Sequence, residues 1–164
     1  MNPGNLLKLL HVLAGFALVA GEIGRLFAFQ RAKKATDVKI VAEMLQLFTF
    51  FTSKFVSTGG LLTFLLGMIT AWVQGWPILG SLQGGMSNWV LASLILYIII
   101  MAMVALIAVP RGKLIGKALG AALGQGKITP ELTAALNDNA LNKVFIIQDV
   151  LILLIIILMV LKPF

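Results

Sequence analysis

The chain has 164 residues, of which 60% are hydrophobic and 12% charged, with no cysteine and a formal net charge of +7. A soluble domain carries about 25% charged residues, so this composition argues against a water-covered globule, and the missing cysteine excludes disulfides, thiolate ligands and a cysteine nucleophile. The positive surplus is better assigned to membrane topology than to nucleic acid, because lysine and arginine gather on one side of a bilayer.

Four apolar stretches approach or exceed the ~20 residues that cross ~30 Å of hydrocarbon. The first covers about 6–29 and is interrupted by Lys8, His11, Glu22 and Arg25. A cleaved signal peptide has an apolar core of about 7–15 residues followed by a cleavage site. Here Glu22, Arg25 and further apolar residues continue the segment, so it is read as a retained helix. The second stretch is uncharged over 55–73, and its helix is drawn over 47–74. The third, with its helix over 88–109, carries no charge. The fourth, over 140–161, holds only Gln148 and Asp149 as strongly polar residues within 144–161. These runs are continuous rather than alternating, and lipid requires each backbone group to be paired within its own segment. The expected fold class is therefore all-α, a four-helix transmembrane bundle in a single domain, 1–164.

The connections set the expected orientation. Between the first two helices lie Arg31, Lys33, Lys34 and Lys39 against Asp37 and Glu43; the segment 74–88 holds no charge. Between the last two lie Arg111, Lys113, Lys117, Lys127 and Lys143 against Glu131 and Asp138. Lysine and arginine in short loops stay on the cytoplasmic side. Both termini and the middle connection then face outward, and Trp72, Trp76 and Trp89 fall near the outer helix ends, where an aromatic belt belongs. The long cytoplasmic loop between helices three and four has two readings. Leu114, Lys117, Ala118 and Ala121 stand at helical spacing, which fits a helix lying on the leaflet with its lysines near anionic headgroups. Gly112, Gly116, Gly120, Gly124 and Gly126 equally fit a flexible linker. Thr129 before Pro130 is a helix-start signal.

Polar groups within the membrane are costly and are the first functional candidates. With ~100° per residue, the eleven residues from His11 to Glu22 return to within ~20°, Arg25 lies ~40° to the other side and Lys8 ~60° away. One stripe of helix one thus holds all four and should face other helices or water. His11, the one histidine, is read either as a haem or metal ligand or proton relay, or as a structural hydrogen-bonder across to Ser93 or Tyr97. Met101 and Met103 point to different faces, and the seven methionines suit packing better than copper. Gly15, Gly21, Gly59 and Gly60 are read as close helix contacts. The chain lacks a phosphate-binding glycine loop, a G-x-S-x-G elbow and an H-E-x-x-H pair, so no catalytic or metal-binding residue is assigned.

A charged cluster is expected near the cytoplasmic side. If helix one leaves the hydrocarbon near Phe29 and helix two enters near Leu47, Glu22 and Lys54 sit ~10 Å deep and Asp149 ~8 Å deep, with Arg25 between. Glu22 should then pair with Arg25 or Lys54, and Asp149 should face the same interior. Alternatively, helix two begins at Phe55 and Lys54 snorkels to the headgroups.

Leu7-Lys8-Leu9-Leu10-His11, followed by Ala20-Gly21 and Arg25-Leu26-Phe27, resembles the first helix of a broad bacterial membrane group. That group includes the CopD copper-resistance proteins, the HemJ-type protoporphyrinogen oxidases and a larger set of uncharacterised predicted integral membrane proteins. The ending Leu161-Lys162-Pro163-Phe164 resembles HemJ-type tails. The resemblance implies a multi-pass protein of the bacterial inner membrane and, for HemJ-type members, haem b on His11. Against the HemJ pattern, Gly21 to Arg25 is two residues shorter, and the lysine of its third helix has no counterpart in 89–109, which favours the uncharacterised branch. The expected function is a transport or accessory component with an intramembrane polar cluster, in contact with lipid and with a second copy or a larger membrane complex; an enzyme is the less favoured reading and would be a membrane oxidoreductase. The alternatives are a haem b redox protein and a copper or other cation passage past His11.

Overall fold

The computed structural model describes residues 3–163. Its helices are longer than a bilayer is thick. Helix α1 spans Pro3–Lys34, α2 Val38–Val73 and α3 Trp89–Gln125. A short α4, Pro130–Leu136, leads into α5, Asn139–Leu161. At ~1.5 Å per residue, the 37 residues of α3 reach roughly 55 Å, against ~30 Å of hydrocarbon. With α4 and α5 taken together, four segments are long and apolar enough to cross a membrane.

Local chemistry explains where the helices begin and bend. Asp37 caps α2 by accepting from the Lys39 backbone N–H at 2.7 Å, supplying a partner that a helix start otherwise lacks. Thr129 and Asp138 do the same for α4 and α5 through the N–H groups of Leu132 and Leu141. Both long middle helices widen into a π turn, at Thr52–Ser57 in α2 and Val104–Ala108 in α3. In α2 the hydroxyls of Thr49, Thr52 and Thr58 donate back to the carbonyls of Leu45, Phe48 and Ser53, a competition that bends helices. In α3 the π turn runs up to Val109-Pro110, where proline has no N–H to donate and its ring crowds the preceding turn.

The region between 110 and 125 is helical, as the spacing of Leu114, Lys117, Ala118 and Ala121 indicates, and is not a flexible linker. Residues 109–125 continue α3 as helix, with Ile115 and Ala122 buried, and the chain turns at Gly126 with φ 66°. Gly112, Gly116, Gly120 and Gly124 have no other group within 4 Å of a would-be Cβ. They weaken the helix by about 0.5–1 kcal/mol each, but burial of Ile115 and Ala122 against α4 and the start of α2 keeps it formed.

Side chains are buried mainly at the two ends. At the end rich in lysine and arginine, Phe29, Ala32, Val41, Leu45, Leu132 and Phe145 belong to one core drawn from α1, α2, α4 and α5. At the other end Ala71, Trp89 and Val90 pack with Trp76, Ile78 and Met159. In between, the most apolar window of each span is only 17% buried, and Phe16, Ile23, Leu106 and Ile146 point outward. That exposure suits a surface covered by lipid rather than water.

Helix α1 lies along the whole of α2, while the first half of α3 packs on α5. Two glycines allow the α1–α2 approach. A Cβ on Gly21 would stand 2.5 Å from Phe55 Cβ, and one on Gly59 would stand 3.0 Å from the Leu18 backbone nitrogen. Gly15 faces open space and Gly60 only approaches a Leu18 methyl, so the expected contact is made by one glycine of each pair.

Candidate functional site

Within the apolar middle of the chain, polar side chains from α1 and α5 meet away from solvent. Glu22, Arg25 and Gln148 are 8%, 5% and 3% exposed. Glu22 and Arg25 are three residues apart on α1, which places them on one face, and Arg25 Nη2 stands 2.5 Å from Glu22 Oε2. The contact lacks hydrogen-bond alignment, so opposite charge holds it. From α5, Gln148 Nε2 donates to Glu22 Oε1 at 2.9 Å. Asp149, the next residue on α5, is half-buried.

Aromatic rings bound the cluster toward the basic end. The Arg25 guanidinium lies 4.8 Å from the centre of the Phe145 ring. Phe145 meets Phe29 edge-on at 5.5 Å and Phe48 at 5.9 Å, and Phe29 and Phe48 are 5.4 Å apart. One ring each from α1, α2 and α5 thus forms an apolar floor beside the charges, which strengthens every electrostatic contact there by lowering the local dielectric.

Lys54 does not join this cluster. It is exposed and, among the described residues, has no ion-pair partner. Helix α2 begins at Val38, so Lys54 lies well inside the helix and not at its start, yet it points away. Lys54 sits within the π turn of α2, where the ordinary α-helical rotation per residue does not hold, so its direction was not readable from spacing alone. Gln148 was noted only as polar, yet it is the residue that bridges the helices; an uncharged amide is invisible to a count of charges.

His11 also differs in its partner. Its Nδ1 lies 2.9 Å from the Thr63 carbonyl oxygen of α2, and its ring occupies the space that a side chain on Gly67 would fill. A carbonyl only accepts, so Nδ1 carries the proton and Nε2 is the acceptor. The two expected partners are engaged elsewhere: Ser93 donates to the Trp89 carbonyl at 2.8 Å, and Tyr97 stacks on Phe64 at 4.7 Å. As a metal site made of protein side chains alone this does not fit. One imidazole supplies one ligand, and no group of three His, Cys, Asp or Glu that could hold a metal ion gathers among the described residues.

The chain belongs to the family described as Predicted integral membrane protein (DUF2269), whose model matches residues 5–163. No curated protein and no solved structure matches it.

Removing one partner of a buried pair leaves the other charge uncompensated. Arg25→Met is expected to cost about 3–5 kcal/mol of stability in detergent unfolding, and adding Glu22→Gln should recover part of that loss. Lys54→Ala should change stability by no more than about 0.5 kcal/mol. A Lys54→Ala loss as large as that of Arg25→Met would contradict the arrangement.

Proposed function

We propose that this member of the family is a non-enzymatic transport or accessory component of a membrane assembly, and that the Glu22–Arg25–Gln148–Asp149 cluster is its working element. The cluster itself carries the reading. Charged groups in a bilayer span are expensive and otherwise avoided, and an amide or apolar pair would join α1 to α5 at lower cost. Support also comes from what surrounds it. His11 Nδ1 is engaged with the Thr63 carbonyl, which supports a structural role for it, and the copper reading lacks a set of protein ligands among the described residues. Native mass measured from mild detergent should show a second copy or a further subunit and no visible cofactor absorption. A lone monomer with a Soret band that disappears in His11→Ala would overturn the proposal.

The orientation belongs to the same reading. The end that carries Arg31, Lys33, Lys34, Lys113 and Lys117 is assigned to the cytoplasm of a bacterial inner-membrane protein. The Trp76–Trp89 pair, 5.0 Å between centres and flanked by Lys162, is assigned to the outer interface. A reporter fused after Phe164 should be active outside the cytoplasm, and one inserted near Gly126 active inside; the opposite pattern reverses the assignment.

A further inference from the structure

At the end opposite the basic core, an apolar groove lies beside two lysines that have no acid near them. We propose that this is a binding site for one anionic phospholipid, its phosphate held by Lys8 and Lys162 and its apolar part in a groove of the α2–α3 connection. The inference stands apart from the assembly reading and does not depend on which side of the membrane this end faces.

The connection, 74–88, contains no charged residue. Its polar groups close on one another. The Trp76 N–H donates to the Ala71 carbonyl at 2.9 Å, that of Gly85 to the Gly80 carbonyl at 3.0 Å, and that of Ser81 to Asn88 Oδ1 at 2.8 Å. Gly85 lies against Pro77, where a Cβ would collide with the proline ring. With these groups paired internally, the outward side chains are apolar: Met86 is 99% exposed, Leu82 78% and, at the end of α2, Trp72 75%. Trp72, Trp76, Pro77, Ile78 and Met86 line a groove of about 680 Å³, within the ~300–1,000 Å³ of small-molecule sites. Tryptophans at helix ends also mark the level of lipid headgroups.

Trp76 links the groove to the charges. Two ammonium groups share its ring: Lys162 Nζ lies 4.2 Å from the ring centre and Lys8 Nζ 5.6 Å. Lys162 is placed there by a left-handed turn with φ 46° that ends α5, a conformation that a Cβ disfavours. Neither lysine has an ion-pair partner among the described residues. Lys8 and Gln74 line one small pocket, and Gln74 Nε2 is buried there with no acceptor. Acidic side chains are remote. At ~1.5 Å per residue, Glu22 is ~21 Å from Lys8 along α1 and Asp149 ~20 Å from Lys162 along α5. Asp37, Glu43, Glu131 and Asp138 belong to the basic end.

An anion satisfies all three groups. A metal ion would be repelled by two ammonium groups. A second copy inserted in the same direction carries its acids at the same levels, away from this end, so it does not supply the charge. A phosphate offers negative charge to the lysines and acceptor oxygens to Gln74, and a phospholipid joins that group to a chain that covers Trp72 and Met86.

The chain's three tryptophans are Trp72, Trp76 and Trp89, all at this end, so their fluorescence reports the site. The purified full chain in mild neutral detergent is titrated with phosphatidylglycerol carrying brominated chains, and with phosphatidylcholine carrying the same chains. Phosphatidylglycerol should quench saturably, with a half-saturation roughly tenfold or more below that of phosphatidylcholine. Lys8→Ala with Lys162→Ala should raise the phosphatidylglycerol half-saturation by roughly tenfold or more. Lys8→Arg with Lys162→Arg should preserve it, and Lys113→Ala with Lys117→Ala at the basic end should leave it unchanged. Quenching without saturation, equal half-saturation for the two lipids, or quenching indifferent to the paired alanine substitution overturns the proposal. Should that variant fail to fold, the comparison of the two lipids on the unaltered chain decides.

Discussion

A charged side chain held away from water needs an opposite charge at contact distance, and Arg25 meets that need for Glu22 from one turn along the same helix. Much of the arrangement of the helices follows from this local pair. Because Arg25 occupies Glu22 Oε2, Oε1 is turned toward α5, where Gln148 donates to it. Because the guanidinium is fixed, its face is presented to Phe145, and Phe145 in turn meets Phe29 and Phe48. Helices α1, α2 and α5 converge on one level through a chain of contacts that begins with two charges. Packing in the rest of the span is sparse, as lipid allows, so a specific polar link has more influence on helix register than it would in a tightly packed soluble core.

The second constraint is length. Helices of 32, 36 and 37 residues exceed what hydrocarbon requires, and the excess lies largely at the basic end. There Leu132 and Val41, both fully buried, build a small core of ordinary soluble character, with Arg111 held by Asp138 through its Nε at 3.1 Å. Lys33 reaches Asn142 at 3.2 Å and ties the end of α1 to the start of α5. The π turns sit where α2 and α3 pass from this core into the sparse span, and each is produced by backbone chemistry in its own sequence: hydroxyls that compete for carbonyls in α2, and proline in α3.

Much of this was legible in the residues. Continuous apolar runs mark the helices, and the three-residue spacing of Glu22 and Arg25 puts them on one face before any packing is known. What depended on rotation and on neighbours was not legible. Lys54 has the same depth as Glu22 but the wrong azimuth, and depth was the quantity that charge placement along the chain supplied. His11 bonds a main-chain carbonyl exposed by Gly67, a partner that no search among side chains can find. The stretch from Gly112 to Gly126 fits a helix by its spacing and a linker by its glycines, and it folds as helix with Ile115 and Ala122 buried; tertiary packing outweighed the local preference of glycine. Gln148 has no charge to draw attention, yet its amide reaches across helices where a shorter side chain would not.

The central claim is that α1 and α5 are joined through Glu22 and Gln148. A double-mutant cycle measures that link without assuming what either residue contributes alone. Glu22→Leu, Gln148→Leu and the double variant would be unfolded from the same detergent, and the coupling taken from the difference between the double and the sum of the singles. A coupling of about 0.5–3 kcal/mol is expected for residues in contact. Losses that simply add would contradict the account.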